Sequence, residues 1–211
     1  MENKSKIRIL LVESNAVVRV GIRTVIEAET DFELVAEAHD NEAAVRYFQE
    51  FAPDVTLFAL RLPDICGVDG VKDLRGFDKT AKIIVFSEFA GDVEVRRALE
   101  NGASGYLFYA AIPDELPLAI RAVAKGETFV PSTIAEIIAQ THEDDFLTVA
   151  ELRVLHKIVE GATNKEIASQ LKITEHTVKS HVKNILEKLD VPDRTAAAVV
   201  ALRRGIVRFD S

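Results

Sequence analysis

Over the first 130 residues, short runs of apolar residues alternate with longer stretches in which apolar positions recur at helical spacing. The short runs are rich in β-branched and aromatic residues and are mostly continuous, which is typical of strands buried on both faces. Five strands are predicted in this way, at Ile7–Val12, Phe32–Ala38, Asp54–Leu60, Ala81–Phe86 and Ser104–Phe108. An amphipathic helix is predicted after each of them, at Ala16–Ala28, Glu42–Phe51, Val68–Arg75, Val93–Asn101 and Pro113–Ala124.

Five repeats of a strand followed by a helix predict an α/β domain with a doubly wound parallel sheet and right-handed crossovers. Helix-end signals support this pattern, because Asp40 can cap the second helix and Gly102 can end the fourth in a left-handed conformation. In such sheets, functional residues lie at the carboxyl ends of the strands. The residues at these ends are Glu13 and Ser14, Ala59 and Leu60, Ser87 and Glu88, and Phe108 and Tyr109.

The pattern changes after Gly126. Residues 131–145 contain a short helical stretch followed by an acidic, polar run, which is typical of a linker. From Phe146 onward the sequence predicts four helices and no strand. The predicted N-caps of these helices are Thr148, Thr163, Thr174 and Asp193, the first two in the capping-box form with Glu151 and Glu166. We therefore expect a domain over 1–128, a linker over 129–145 and an all-α domain over 146–211.

The two predicted domains differ in charge. Residues 146–211 carry 11 Lys and Arg against 8 Asp and Glu, a net charge of +3. The preceding 145 residues carry 15 against 26, a net charge of −11. An acidic first domain repels polyanions, whereas the second tolerates them, so we expect different partners for the two domains.

The third of the C-terminal helices, Glu175–Leu189, has one apolar and one polar face. The apolar stripe consists of Val178, Val182, Ile185 and Leu189, and the polar face carries His176, Lys179, Ser180, Lys183 and Glu187. The short helix Asn164–Leu171 and a tight turn precede it, which is the helix-turn-helix arrangement. Lysines one turn apart can reach guanine acceptors in a major groove, and the capped N-terminus of the short helix can bind a phosphate. A helix with two exposed lysines is equally typical of a simple solvated surface, so charge alone leaves both interpretations open.

The segment from Leu147 to Ile206 resembles the LuxR-type helix-turn-helix of the NarL/FixJ response regulators. The matching stretches are LT-x-x-E, VL, EG-x-TNKEIA-x-x-L, ITE-x-TVK-x-HV-x-NIL-x-KL and V-x-DRT-x-A. The resemblance implies that Lys179, Ser180 and Lys183 meet base edges of double-stranded DNA. It implies phosphate contacts for Asn164, Lys165 and Thr177. For His176 it leaves two alternatives, a phosphate contact or exposure to solvent. It also implies a homodimer contact on the fourth helix, at Arg194, Ala197, Ala198 and Ala201, although an alanine-rich face is also typical of a helix core.

The N-terminal half resembles a response-regulator receiver, through RILLVES, PDVTLFALRLP, KIIVFS and NGASGYLF. This resemblance implies a flavodoxin-like fold with strand order 2-1-3-4-5. A working receiver has two acidic residues that hold Mg²⁺, an aspartate that accepts the phosphoryl group, a Ser or Thr, and a lysine. In this chain the two acidic positions hold Glu13 and Ser14. The aspartate position holds Ala59, and the lysine position holds Tyr109. Ser87 and the aromatic Tyr106 match the family pattern. Alanine has no side-chain oxygen, so no acyl phosphate can form at position 59.

Three roles remain open for such a receiver: a fixed dimerisation scaffold, a pocket for a small molecule or a partner protein, or phosphorylation at a substitute residue. We expect no enzyme activity, because no Ser/His/Asp or Cys/His set and no glycine-rich phosphate loop stands at a strand end. No cofactor or metal is expected, since Glu13 alone is a poor magnesium site. The longest apolar runs fall short of the roughly 20 residues of a membrane span, and the single cysteine, Cys66, suits a reducing cytoplasm.

The sequence therefore predicts a dimeric, DNA-binding transcription regulator that acts without aspartate phosphorylation. The alternatives are a regulator controlled by a ligand or a partner at its receiver, and a protein that antagonises another regulator through protein contacts alone.

Overall fold

The computed structural model describes residues 6–88, 92–139 and 147–207. The chain divides into two compact units, one holding residues 1–89 and 95–135 and one holding residues 90–94 and 136–211. Within the described ranges, no helix is both long and apolar enough to cross a membrane.

The first unit is built on a five-stranded parallel sheet with the order β2-β1-β3-β4-β5, which confirms the predicted fold. Its strands are β1 Ile7–Val12, β2 Phe32–Ala38, β3 Val55–Ala59, β4 Ile83–Ser87 and β5 Gly105–Phe108. β3 and β4 are buried at every position, as their continuous apolar runs require. The register pairs Ala59 with Phe86 and Ser87 with Phe108, so the carboxyl ends of neighbouring strands meet at one edge.

The helices of this unit are α1 Ala16–Glu27, α2 Asn41–Phe51, α3 Gly67–Phe77, α4 Asp92–Glu100 and α5 Ile112–Ala124, with a short 3₁₀ turn, Tyr109–Ala111, before α5. One face of the sheet packs against α1 and α5, whose Ile22, Ile26, Leu116 and Ile120 join the core. The predicted helix ends are confirmed, because Asp40 accepts a hydrogen bond from the Ala43 amide and Gly102 has a φ of +102°. At most of the helix and strand ends, the predicted and observed bounds differ by one or two residues, because the ends of these elements fray.

Residues 129–145, the predicted linker, contain the helix α6 Ser132–Ala139. Phe129 forms a parallel bridge with Gly105, so the sheet extends one residue beyond the predicted boundary at residue 128. The acidic run over residues 142–145 lies outside the described residues.

The second unit contains α7 Val149–Val159, α8 Asn164–Leu171, α9 Glu175–Lys188 and α10 Arg194–Arg203. All four predicted N-caps form, and both capping boxes are complete. The core includes Val154, Leu155, Ile158, Ile167, Val178 and Ile185. Glu151 serves the first capping box and also accepts a 2.8 Å hydrogen bond from Lys188, which ties the start of α7 to the end of α9.

Candidate DNA interface and receiver pocket

The connection between α8 and α9 is a tight turn. α8 ends at Lys172, which adopts a left-handed conformation with a φ of +56° and donates its amide to the carbonyl of Ala168. The sequence did not predict this helix end, because glycine is the residue that usually marks it. Thr174 then begins α9 by accepting a 3.1 Å hydrogen bond from the Thr177 amide. The short turn fixes α9 directly after α8, as a helix-turn-helix requires.

α9 presents the predicted polar face to solvent. Val178 and Ile185 are fully buried on the opposite face. The exposed positions are His176, Lys179, Ser180 and Lys183, whereas Thr177 is half-buried. His181 is half-buried.

Two ion pairs hold the lysines along the surface of α9. Lys179 lies 3.2 Å from Glu175, and Lys183 lies 3.5 Å from Glu187, each pair one helical turn apart. The lysine side chains remain 63% and 76% exposed. Exposed pairs of this kind contribute about 0–1 kcal/mol, so both lysines can exchange these partners for a nucleic acid at little cost.

The start of α8 carries two further predicted contact residues. Lys165 is exposed, and the side-chain oxygen of the half-buried Asn164 accepts a 3.5 Å hydrogen bond from Arg194. Glu166 lies in the same turn, where hydrogen bonds from Thr163 lower the pKa of its carboxyl and keep it charged. A phosphate at this helix end therefore meets a carboxylate as well as backbone amides.

The dimer contact expected on α10 needs a correction. Ala197 and Ala201 have no exposed surface and belong to the helical core, so neither can touch a second subunit. Ala198 is half-buried against the same core. Arg194 is also directed into its own unit, since it donates a 2.7 Å hydrogen bond to the carbonyl of Ala162. The small side chains let α10 approach the core closely, which is the alternative that the sequence left open.

The outer face of α10 carries Thr195, Val199 and Arg203, which are exposed and spaced four residues apart. Val199 is 58% exposed. This exposure has no local signal in the sequence, because valine within an alanine-rich helix suggests a core position.

In the first unit, the strand ends bring the receiver residues together. Ala59 ends β3 and has no exposed surface. Glu13 is only 2% exposed. Its carboxylate accepts a 2.7 Å hydrogen bond from the backbone amide of Asn15 and a 2.8 Å hydrogen bond from the Tyr109 hydroxyl. Arg19 donates to the carbonyls of Glu13 and Ser14, which fixes the backbone of this loop.

Tyr109 begins the 3₁₀ turn after β5, and its ring packs against Phe86 with centroids 5.7 Å apart. Burial, the hydrogen bond to Glu13 and the negative charges of Glu13 and Glu88 all raise the pKa of Tyr109 above its ordinary value of 10. The hydroxyl therefore keeps its proton and acts as a donor. No local signal in the sequence identifies Glu13 as the partner of this hydroxyl.

Ser87 and Tyr106 form a second buried pair. Their hydroxyl oxygens lie 3.0 Å apart, and the two residues are 3% and 0% exposed. Ser87 and Tyr106, which both match the pattern of a working receiver, therefore bond to each other.

A cavity of about 340 Å³ lies at this edge of the sheet, lined by Glu13, Ser14, Asn15, Arg61, Ser87, Glu88 and Tyr109. Arg61 was not predicted as a site residue, because it stands two positions beyond the end of β3. Within the described ranges, no three His, Cys, Asp or Glu side chains are grouped to hold a metal. Magnesium requires near-octahedral oxygen coordination, and a lining with two carboxylates, of which Glu13 is already bonded to the Asn15 backbone amide and to Tyr109, together with the guanidinium of Arg61, does not fit it.

Comparisons with known proteins cover both units. Residues 9–121 match the model of the response regulator receiver domain, and residues 145–201 match that of the bacterial regulatory proteins of the luxR family. The transcriptional regulatory protein LiaR of Bacillus subtilis is 40% identical over 95% of this chain and 99% of its own length. The nitrate/nitrite response regulator NarP of Escherichia coli is 34% identical over 97% of this chain and 98% of its own.

Two solved structures resemble the chain. A LuxR-family two-component response regulator from Aurantimonas sp. SI85-9A1 has 36% identity and a TM-score of 0.62, over 64% of this chain and 97% of that one. RcsB from Salmonella enterica serovar Typhimurium, bound to the promoter P1flhDC, has a TM-score of 0.74 over 93% of this chain and 98% of its own. With 23% identity, RcsB supports the fold alone. This chain belongs to the NarL/LuxR family of response regulators, with an N-terminal receiver domain and a C-terminal LuxR-type DNA-binding domain.

Proposed function

We propose that this protein is a sequence-specific transcription regulator that binds double-stranded DNA as a homodimer and acts without phosphorylation of an aspartate. The observation that carries the proposal is the two-sided character of α9, which buries Val178 and Ile185 and leaves Lys179, Ser180 and Lys183 exposed. Because DNA is its target, we place the protein in the cytoplasm.

In the proposed complex, α9 lies in the major groove. Lys179, Ser180 and Lys183 face the base edges, where lysine ammonium groups donate to guanine O6 and N7. The phosphate contacts are assigned to Asn164, Lys165, His176 and Thr177. Arg194 supports this set from inside the domain, because its hydrogen bond to Asn164 holds that side chain in place.

The proposed dimer uses the outer face of α10. Thr195, Val199 and Arg203 replace Ala197 and Ala201, which the resemblance implied, because these two alanines are buried. An isologous contact of this kind pairs the same face of both subunits.

The proposed independence from phosphorylation rests on three coupled positions. Ala59 has no oxygen to accept a phosphoryl group, Ser14 supplies no carboxylate, and Tyr109 is neutral where the family has a lysine. The hydrogen bond between Tyr109 and Glu13 supports the proposal, because it gives a neutral partner to the carboxylate that remains of the acidic pair. We divide the protein at the boundaries that the sequence predicts, with the receiver over 1–128, the linker over 129–145 and the DNA-binding domain over 146–211.

The decisive experiment is an unbiased selection of DNA from a random pool with the purified full-length protein. We expect enrichment of one sequence with two half-sites, followed by binding whose affinity falls steeply with salt as phosphate contacts are screened. A protein–protein antagonist would enrich no sequence and would show no salt dependence on DNA. That result would overturn the proposal.

A further inference from the structure

The cavity at the carboxyl edge of the sheet has the position and size of a small-molecule site. Its walls come from the ends of β1, β3, β4 and β5, where open α/β sheets bind their ligands. Its volume of about 340 Å³ is sufficient for a small metabolite.

Glu13 is a buried charge in this cavity whose hydrogen bonds come from neutral donors. The backbone amide of Asn15 donates to Oε1 of Glu13, and the Tyr109 hydroxyl donates to Oε2. Each carboxylate oxygen can therefore accept another hydrogen bond. The guanidinium of Arg19 bonds the backbone carbonyls of Glu13 and Ser14, and its ionic partner is Glu37. Among the described residues, no salt bridge reaches the Glu13 carboxylate. A buried carboxylate is stabilised when a cation approaches it, because neutral donors offset its lost hydration incompletely.

The other residues that line the cavity add hydrogen-bond acceptors and one guanidinium. Glu88 adds a second carboxylate, and its charge acts on Tyr109 together with that of Glu13. Ser14 and Ser87 add hydroxyl groups that can accept hydrogen bonds. Arg61 adds a guanidinium to the lining; it already has an interaction of its own, and an N–H donor that this interaction does not use suits a carboxylate.

We propose that this cavity binds a small molecule with an ammonium group, which donates hydrogen bonds to the carboxylates of Glu13 and Glu88. If the molecule is an amino acid, its own carboxylate binds Arg61; if it is a simple amine, Arg61 takes no part. An ammonium group fits better than a divalent metal, because its three N–H donors need only a few acceptors, whereas magnesium needs six oxygens. The inference rests on the proposal that the receiver is not phosphorylated at Ala59, which leaves this cavity for another signal.

Direct binding to the full-length protein tests the inference. The probes are the protein amino acids, the diamines putrescine and cadaverine, and the acids that correspond to each amino acid without its amino group. We expect at least one ammonium-bearing probe at about 10 mM to raise the unfolding temperature and to bind with one-to-one stoichiometry in calorimetry. The matched acid without the ammonium group should have no effect.

Three substitutions locate the site. Glu88→Gln, at an exposed position, should keep the fold and weaken binding by about tenfold or more. Glu50→Gln, an exposed glutamate on α2, is the matched control and should leave affinity unchanged. Arg61→Gln should weaken binding of an amino acid and leave binding of a diamine unchanged, which separates the two sources of the ammonium group.

Two results would overturn the inference. One is the absence of any thermal or calorimetric response to the whole set of probes. The other is saturable binding of MgCl₂ alone that Glu88→Gln abolishes, because it would identify a metal site. DNA selection with the same preparation distinguishes the two proposals, since a protein that selects DNA but binds no ammonium compound retains the proposed function and loses only this inference.

Discussion

The hydroxyl of Tyr109 donates a 2.8 Å hydrogen bond to the buried carboxylate of Glu13, a residue 96 positions earlier in the chain. The bond joins the loop after β1 to the loop after β5. The link therefore consists of a neutral donor and a single carboxylate. The pKa of Tyr109 is raised by burial and by the carboxylates around it, so the bond persists in neutral and mildly basic solution.

Removing this hydroxyl should destabilise the receiver. We expect Tyr109→Phe to lower the free energy of unfolding by about 1–3 kcal/mol, because the Glu13 carboxylate loses a donor in a buried position. Tyr47→Phe is the matched control, since the Tyr47 ring packs on Phe51 at the surface helix α2. Urea unfolding measures both variants, and a double-mutant cycle with Glu13→Gln isolates the pair. Equal stabilities of Tyr109→Phe and the wild type would contradict a stabilising role for the bond.

Phosphoryl donors should leave the protein unchanged. Acetyl phosphate, or beryllofluoride with Mg²⁺, should alter neither the oligomeric state nor DNA affinity, because Ala59 can neither accept nor coordinate these groups. Ala59→Asp alone should not restore switching, since Tyr109 and Ser14 still leave the site without a lysine and a second carboxylate. Intact mass and DNA affinity measured on the same samples test this expectation. A hydroxylamine-labile adduct on the wild type, accompanied by tighter DNA binding, would refute it.

The two lysines of α9 should determine DNA specificity. We expect Lys179→Ala and Lys183→Ala each to weaken binding to the selected sequence by about 1–3 kcal/mol and to relax base preference at one position. Lys72→Ala, an exposed lysine on α3 of the receiver, is the control. Binding to selected and random DNA is measured side by side. Equal losses on both would identify phosphate contacts only, and full retention would remove these lysines from the interface.

The outer face of α10 should determine assembly on DNA. We expect Val199→Glu to leave stability within about 0.5 kcal/mol of the wild type, because the side chain is exposed, and to abolish cooperative binding to two half-sites about one helical turn apart. Val149→Glu replaces another exposed valine of the same domain, 69% exposed, and should bind normally. Footprinting and sedimentation with DNA test the pair of variants. A wild-type complex of one monomer per DNA would be incompatible with the proposed dimer.

The DNA-binding domain should lose stability in acid through Glu151. Burial raises the pKa of this carboxyl, but hydrogen bonds from Lys188 and from the Thr148 amide and hydroxyl outweigh burial and lower it to about 2. A carboxyl with a lowered folded-state pKa stabilises fully above its ordinary value of 4.5, and the stabilisation is lost as the pH falls from 4.5 towards 2.

We therefore expect Glu151→Gln to cost about 1–3 kcal/mol near pH 7 and to flatten the loss of stability below pH 4.5. Glu160→Gln is the control, because Glu160 pairs with Lys157 at the surface and is 52% exposed. Urea unfolding at several pH values provides the comparison. An unchanged pH profile in Glu151→Gln would show that this carboxylate does not control acid unfolding.

The sequence by itself determined the elements, the fold class and the family of this protein. Strands, helices and caps depend on neighbours a few positions away, so the continuous runs of β3 and β4 and the capping boxes of Thr148 and Thr163 can be read from local spacing. The left-handed conformation of Lys172 could not be predicted from such spacing, because nothing in a lysine side chain marks it.

Only the tertiary structure decided which distant side chains meet. Parallel register brings Tyr109 to Glu13, and the loop after β3 turns Arg61 into the same cavity, although neither relationship has a local signal. Packing also decided between the two uses of the α10 alanines. Alanine suits a core and a subunit contact equally well, and only the direction in which the helix buries its surface placed Ala197 inside and Val199 outside.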